Sequence, residues 1–149
     1  MPIYEGNHPP NVEGCYWVSP VQLLYASDGC DAEFYDMLFS VGSPDGMGRT
    51  PYRERQHHVS GDGTPACIVG HADCFTLYTL EQVDMAEGEV TYQTMTIVSG
   101  RKRAEGIVDY RLALIMVEKS ADHGLLADQQ VVRIFADGDG IARETEERP

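Results

Sequence analysis

The residues with the widest chemical reach in this chain are its cysteines, its histidines and a spread of aromatics. Cys67, His71 and Cys74 offer two thiols and an imidazole within one short segment. With His57 or His58 as a fourth ligand they could hold zinc in a tetrahedron. The spacing is loose and no second cysteine pair lies nearby, so the segment favours a disulfide or free thiols over a metal, and no metal or other cofactor is assigned. Four cysteines permit two bridges in three connectivities. The simplest pairing is local, Cys15 with Cys30 and Cys67 with Cys74, the second across a hairpin turning at Gly70-His71. Such bridges persist only in an oxidising compartment. The alternative is four buried free thiols, since cysteine is among the most buried residue types.

Neighbouring His57 and His58 fall in a segment, 52–59, that alternates like a polar edge strand. On a strand they face opposite ways, so only one can point inward. An inward histidine is more often a satisfied core residue than a general base, and no catalytic residue is assigned. Asp137-Gly138-Asp139-Gly140 starts like a calcium loop, but Ala142 and Arg148 stand where that loop needs Gly and Glu, which leaves a tight turn. There is no nucleophile elbow and no phosphate-binding glycine loop. Carboxylates are scattered mostly through turns, and nothing marks a catalytic pair.

Aromatics are more suggestive. Tyr16, Trp17, Tyr25, Phe34, Tyr35, Phe39, Phe75, Tyr78, Tyr92, Tyr110 and Phe135 come from nearly every expected strand. In a closed barrel the inward ones either fill the interior or line a cavity. Tyr16, Trp17, Tyr78, Tyr92 and Tyr110 are the candidates for a ligand-binding cavity.

The elements that must position them are strands. Short runs with strand composition recur at roughly ten-residue spacing between Gly-, Pro- and Asp-rich turns, from Gly14 to Ala136. Segment 33–41 is apolar on both faces and reads as a central strand, with a helix over 32–39 as the competing reading. Residues 60–65 read as a turn, 66–69 and 75–82 as a hairpin, and 107–119 as the strongest strand. The pattern predicts an all-β single domain, an antiparallel barrel of about eight to ten strands, with a sandwich as the alternative. Residues 1–13, with Pro9-Pro10, read as an extended arm, 14–142 as the barrel, and 143–149 as a charged, frayed tail.

The 149 residues carry a net charge of −13. An acidic surface repels phosphates, which argues against nucleic acid and anionic membranes as partners. No run approaches the length of a membrane span.

Four segments resemble a group of small secreted lipoproteins of unknown function from Bacteroides-type gut bacteria. They are 4–16 (with Asn7-His8-Pro9-Pro10 leading to Gly14-Cys15-Tyr16), Ile97-Val98-Ser99-Gly100, Met116-Val117-Glu118-Lys119, and 133–142. The resemblance implies export to the cell envelope, in the periplasm or on the outer-membrane surface. It also implies a signal peptide and a lipid-bearing cysteine upstream of Met1, so that membrane contact would be only through that lipid anchor. Gly14-Cys15-Tyr16 is also similar to the Gly-x-Trp that opens lipocalin-like barrels, with Tyr16 at the Trp position and Trp17 one residue late, facing the other side of the strand. By that resemblance Arg133 would pack across the opening aromatic. The reading that follows is a non-enzymatic, exported envelope lipoprotein domain binding a small apolar or sugar-like ligand, or an envelope protein, through a barrel mouth. Two rivals are a small hydrolase or isomerase using His57 or His58 with a carboxylate, and a structural assembly module pairing through an edge such as 52–59.

Overall fold

At Pro20, Pro51 and Pro65 the strands of this chain break without turning back. The computed structural model describes every residue except Ala86 and Leu125. It is all-β, with twelve strands: β1 (Gly14–Val18), β2 (Val21–Ala26), β3 (Met37–Val41), β4 (Arg49–Thr50), β5 (Tyr52–Gln56), β6 (Val59–Asp62), β7 (Ala66–His71), β8 (Cys74–Met85), β9 (Val90–Arg103), β10 (Gly106–Lys119), β11 (Val132–Asp137) and β12 (Ile141–Thr145). Proline has no N–H for the ladder. Pro20 therefore interrupts β1–β2, Pro51 interrupts β4–β5 and Pro65 interrupts β6–β7. The fourth break, between β11 and β12, is the Asp137-Gly138-Asp139-Gly140 turn, where the Asp137 and Asp139 carboxylates accept the N–H groups of Asp139 and Ile141. It lies against the first break, with Gly138 N–H donating to the Pro20 carbonyl at 2.8 Å.

Joined across these breaks, the twelve strands make eight antiparallel legs, each bonded to its neighbour in sequence. β1 pairs with both β3 and β12, and β10 pairs with β9, β11 and β12, which closes the ring. The fold is thus an up-and-down antiparallel barrel. The 60–65 segment does not reverse the chain: β6 and β7 run on along the same partner, β8. Segment 52–59 is no edge strand, because β5 is bonded to β3 on one side and β6 on the other. Its outward face carries Arg53 and Arg55, while Tyr52 and Glu54 point in. Of segment 33–41, only Met37–Val41 is a strand, and no helix forms among the described residues.

Because the legs alternate, the connections sort to two ends. At one end lie residues 42–48, the Ala72-Asp73 turn and the Ala104-Glu105 turn. The N-terminal arm is not loose at this end. Asn7 bridges Gly70, Tyr4 N–H donates to Thr76 Oγ1 at 2.8 Å, and His71 Nδ1 donates to the Glu5 carbonyl at 2.8 Å. Val12 is buried under the barrel and its carbonyl accepts the Tyr16 hydroxyl at 2.8 Å. This end is filled by rings. Phe39 stacks on Tyr16, Tyr110 and Tyr52 with centroids 5.1, 5.5 and 6.0 Å away. At the other end lie 27–36, the His57-His58 turn, 86–89 and 120–131, the last two containing the residues outside the description. The charged tail is shorter than its composition suggests, since β12 extends to Thr145 and pairs with β1.

Candidate ligand site in the barrel mouth

Above the packed rings the barrel opens into a cavity of about 390 Å³. Its walls are apolar: Met37 from β3, Leu112, Leu114 and Met116 from β10, and Phe135 from β11. Side chains of one strand face alternate sides, so Leu112, Leu114 and Met116 share the inward face with Tyr110 below them. The rim comes from connections that the barrel holds in place: Phe34 meets Phe135 edge-on at 5.1 Å, and Leu126 and Ala127 come from the 120–131 loop. Arg133 lies under Phe34, 5.9 Å from its ring, and its Nη2 is 2.9 Å from Asp28 Oδ2.

The floor is polar. Glu54 lines the cavity with Thr94 and Tyr92, and the fully buried Glu81 lies behind it. Glu54 Oε2 accepts the Tyr52 hydroxyl at 3.1 Å. Glu81 Oε2 accepts Thr96 Oγ1 at 2.5 Å, and Thr96 Oγ1 lies 3.0 Å from Thr94 Oγ1. Burial pushes both carboxyls above the usual carboxylate range, Glu81 further because it also feels the charge of Glu54 and of Asp62. Two carboxylates cannot hydrogen-bond each other, and with both ionised Glu81 Oε1 has no donor among the described residues. A single proton shared between the two carboxyls supplies one, the arrangement that their raised pKa values favour. Gly61 makes the space. Opposite Glu54 in the ladder, a Cβ there would fall 2.1 Å from Glu81 Oε1. The Tyr110 hydroxyl, buried at the same depth and raised well above its ordinary pKa by desolvation and by both carboxyls, has no hydrogen-bond partner among the described residues.

Of the five aromatics expected at a ligand site, Tyr92 lines the cavity. Tyr16 and Tyr110 point inward but belong to the packed layer below it. Trp17 faces outward and is half-buried, as its place one residue after Tyr16 requires, and Tyr78 faces outward on β8, where Leu77 and Thr79 point in. The cation over the opening aromatic is Lys102, 5.8 Å from the Tyr16 ring, and not Arg133, which the β11 register carries to the mouth instead.

The cysteine pairing does not form; all four thiols are free. The hairpin turns at Ala72-Asp73, not Gly70-His71, so Cys74 sits opposite His71 and Cys67 opposite Tyr78. That separates them by roughly 13 Å along the ladder, beyond the reach of a disulfide. Cys15 is at the packed end and Cys30 follows β2 at the mouth. Only Cys15 and Cys74 are buried, so the picture of four buried thiols holds for half of them. His57 and His58 are not on a strand but form the β5–β6 turn, with His57 at φ 53°. Both therefore line the rim, 4.0 Å apart, and His57 stacks on Tyr35 at 4.0 Å. Neither hydrogen-bonds a carboxylate among the described residues. The zinc set is split between opposite ends of the barrel, and no three metal-ligating side chains converge among the described residues.

Sequence reasoning missed Glu54 and Glu81. Their signal was parity: Glu54 shares a face with Tyr52, and Glu81 shares one with Phe75, Leu77 and Val83. Compared with family models, with curated proteins and with solved structures, the chain matches none.

Proposed function

We propose that this chain is a non-enzymatic binding barrel that holds one small amphiphilic molecule in its mouth, as an exported lipoprotein domain of the cell envelope. The half-filled interior carries the binding part of this reading. One end is packed solid by aromatic rings, and the other keeps an apolar cavity with a few converging polar groups, the usual make-up of a small-molecule site. The export part rests on the lipoprotein resemblance alone, since the unbridged thiols lend it nothing.

A filling substitution tests the binding part. Leu114→Trp places an indole in the cavity at a position that is not part of the packed layer. Uptake of an environment-sensitive apolar dye by the wild-type chain should be lost in L114W while the melting temperature stays within a few degrees. No uptake by the wild type, or unchanged uptake by L114W, would count against the mouth as a site.

A second reading draws on the Glu54–Glu81 pair. A carboxyl held protonated beside a cavity is what a general acid needs, so a hydrolase or isomerase would work through Glu54 rather than through His57 or His58. Turnover abolished by Glu54→Gln, with binding retained, would favour it.

A further inference from the structure

We propose that the mouth selects a protonated amine, seated against Glu54 with Glu81 behind it. This inference rests on the mouth being a ligand site and names the chemistry of the ligand's head group.

Among the described residues Glu54 and Glu81 have no cation. None of the ion pairs of the described residues includes either carboxyl. Arg133, whose guanidinium is at the cavity, is held to Asp28 and stacked under Phe34. The other charge that acts on Glu81 is that of Asp62, which is also negative. A buried pair of acids with no counter-charge lowers stability, and an apolar pair of similar volume would serve the fold better. Gly61 gives up a side chain to accommodate them.

Once the shared proton is gone, Glu81 Oε1, fully buried behind Glu54, has no donor among the described residues. An ammonium against Glu54 brings three donors and one positive charge, and so supplies the counter-charge that the pair lacks. As it binds, the shared proton leaves the carboxyl pair for solvent and the ammonium keeps its own three. A carboxylate or phosphate head group meets only repulsion at this floor. A hydroxyl gains a hydrogen bond and no charge. The wall above, Leu112, Leu114, Met116 and Phe135, covers an alkyl or aryl body attached to the amine.

Octylamine, octanol and octanoate share a tail and differ in the head group, so calorimetric titration of the full chain with each at neutral pH isolates the floor. The amine should bind at least about tenfold tighter than the alcohol, the gap between a charge-assisted and a neutral hydrogen bond. Octanoate should bind weakest. Repeating the amine titration in a second buffer of different ionisation enthalpy should show about one proton released, as the shared proton requires. Glu54→Gln should bring the amine down to the alcohol, with the alcohol unchanged, and Glu81→Gln should abolish the proton release while Glu54 keeps the amine preferred. If E54Q does not fold, E81Q decides. Equal affinity for amine and alcohol, tighter octanoate, a preference that survives in E54Q, or proton release that survives in E81Q would overturn the amine assignment and leave the site standing. Failure of all three to bind would remove the site with it.

Discussion

The two ends of this barrel are built from the same strands and to opposite purposes. At the packed end the inward positions carry Tyr16, Phe39, Tyr52, Phe75 and Tyr110, all essentially inaccessible, and the N-terminal arm covers them with Val12. At the mouth the same strands carry Glu54, Thr94, Leu114 and Met116 around open space. The boundary is one layer thick and is marked by the two glutamates. Stability therefore resides in the rings, and the mouth is free to hold groups that lower it. This is the expected arrangement when one sheet must both fold and bind, because a cavity lowers stability in proportion to its size.

The comparison is broken most severely at its centre. Phe39 touches three tyrosine rings and is 1% exposed. Phe39→Ala should cost about 3–5 kcal/mol in urea denaturation. Leu114→Ala, facing a cavity that already exists, should cost less than about 2 kcal/mol, below the usual range for a buried leucine. Equal losses at the two positions would erase the distinction between a packed and an open end.

Gly61 tests the boundary layer. A methyl there collides with a carboxyl that has nowhere to move, since Glu81 is fully buried. Gly61→Ala should destabilise by about 1–3 kcal/mol, the range for overpacking. Gly61→Ala combined with Glu81→Ala should recover much of that loss, because the second change removes the atoms the methyl meets.

Much of the architecture was legible because it is written in period two and in turn residues. Tyr110, Leu112, Leu114 and Met116 announce the longest inward face, although an irregularity at Asp109 puts Ile107 inside at its start, and the closed antiparallel barrel follows from strand count and spacing. The break at 60–65 was misread because a Gly- and Pro-rich segment looks alike whether the chain reverses or merely skips a rung; the difference lies in the partner strand, which no local pattern shows. The site was mostly illegible. Tyr92 was found among aromatics chosen for being aromatic. Glu54 lay hidden in Tyr52-Arg53-Glu54-Arg55-Gln56, whose polarity suggested an edge, although parity with Tyr52 placed it inside. Cysteine spacing misled for a related reason: a turn displaced by two residues moves a pair several rungs apart.

The glutamates also give the fold a pH dependence of definite sign. Glu54, Glu81 and Asp137 are all held above their unfolded values, mainly by burial, Asp137 to about 6. A folded state that keeps protons the unfolded state has released loses stability as pH rises, by about 1.4 kcal/mol per unit for each proton. Thermal stability should thus decline from about pH 4 upward, through pH 6 for Asp137 and beyond for the pair. Below that window the lowered carboxylates Asp28, Asp45, Asp62 and Asp139 act in the opposite sense, so the maximum falls on the acid side. Groups facing the pair are Tyr52, Asp62, Tyr92 and Tyr110, none of them cationic. Glu81→Gln should flatten the decline and stabilise the chain at pH 8. A melting temperature that climbs steadily from pH 4 to pH 8 would contradict the shared proton.

The smallest effect belongs to the rim. Arg133 joins β11 to the loop after β2 through Asp28, and its guanidinium supports Phe34 from below. The Asp28 side chain is 29% exposed, so the ion pair itself should contribute no more than about 1 kcal/mol. Arg133→Met keeps much of the packing and removes the charge. Global stability should fall by less than about 1 kcal/mol. Amide exchange in residues 27–36 should rise, while exchange in β8, β9 and β10 stays as in the wild type, because local opening of the rim does not require the rings to separate. Faster exchange spread evenly over the barrel would mean that the mouth and the packed end open together, and the boundary at Glu54 and Glu81 would not divide the molecule as its packing implies.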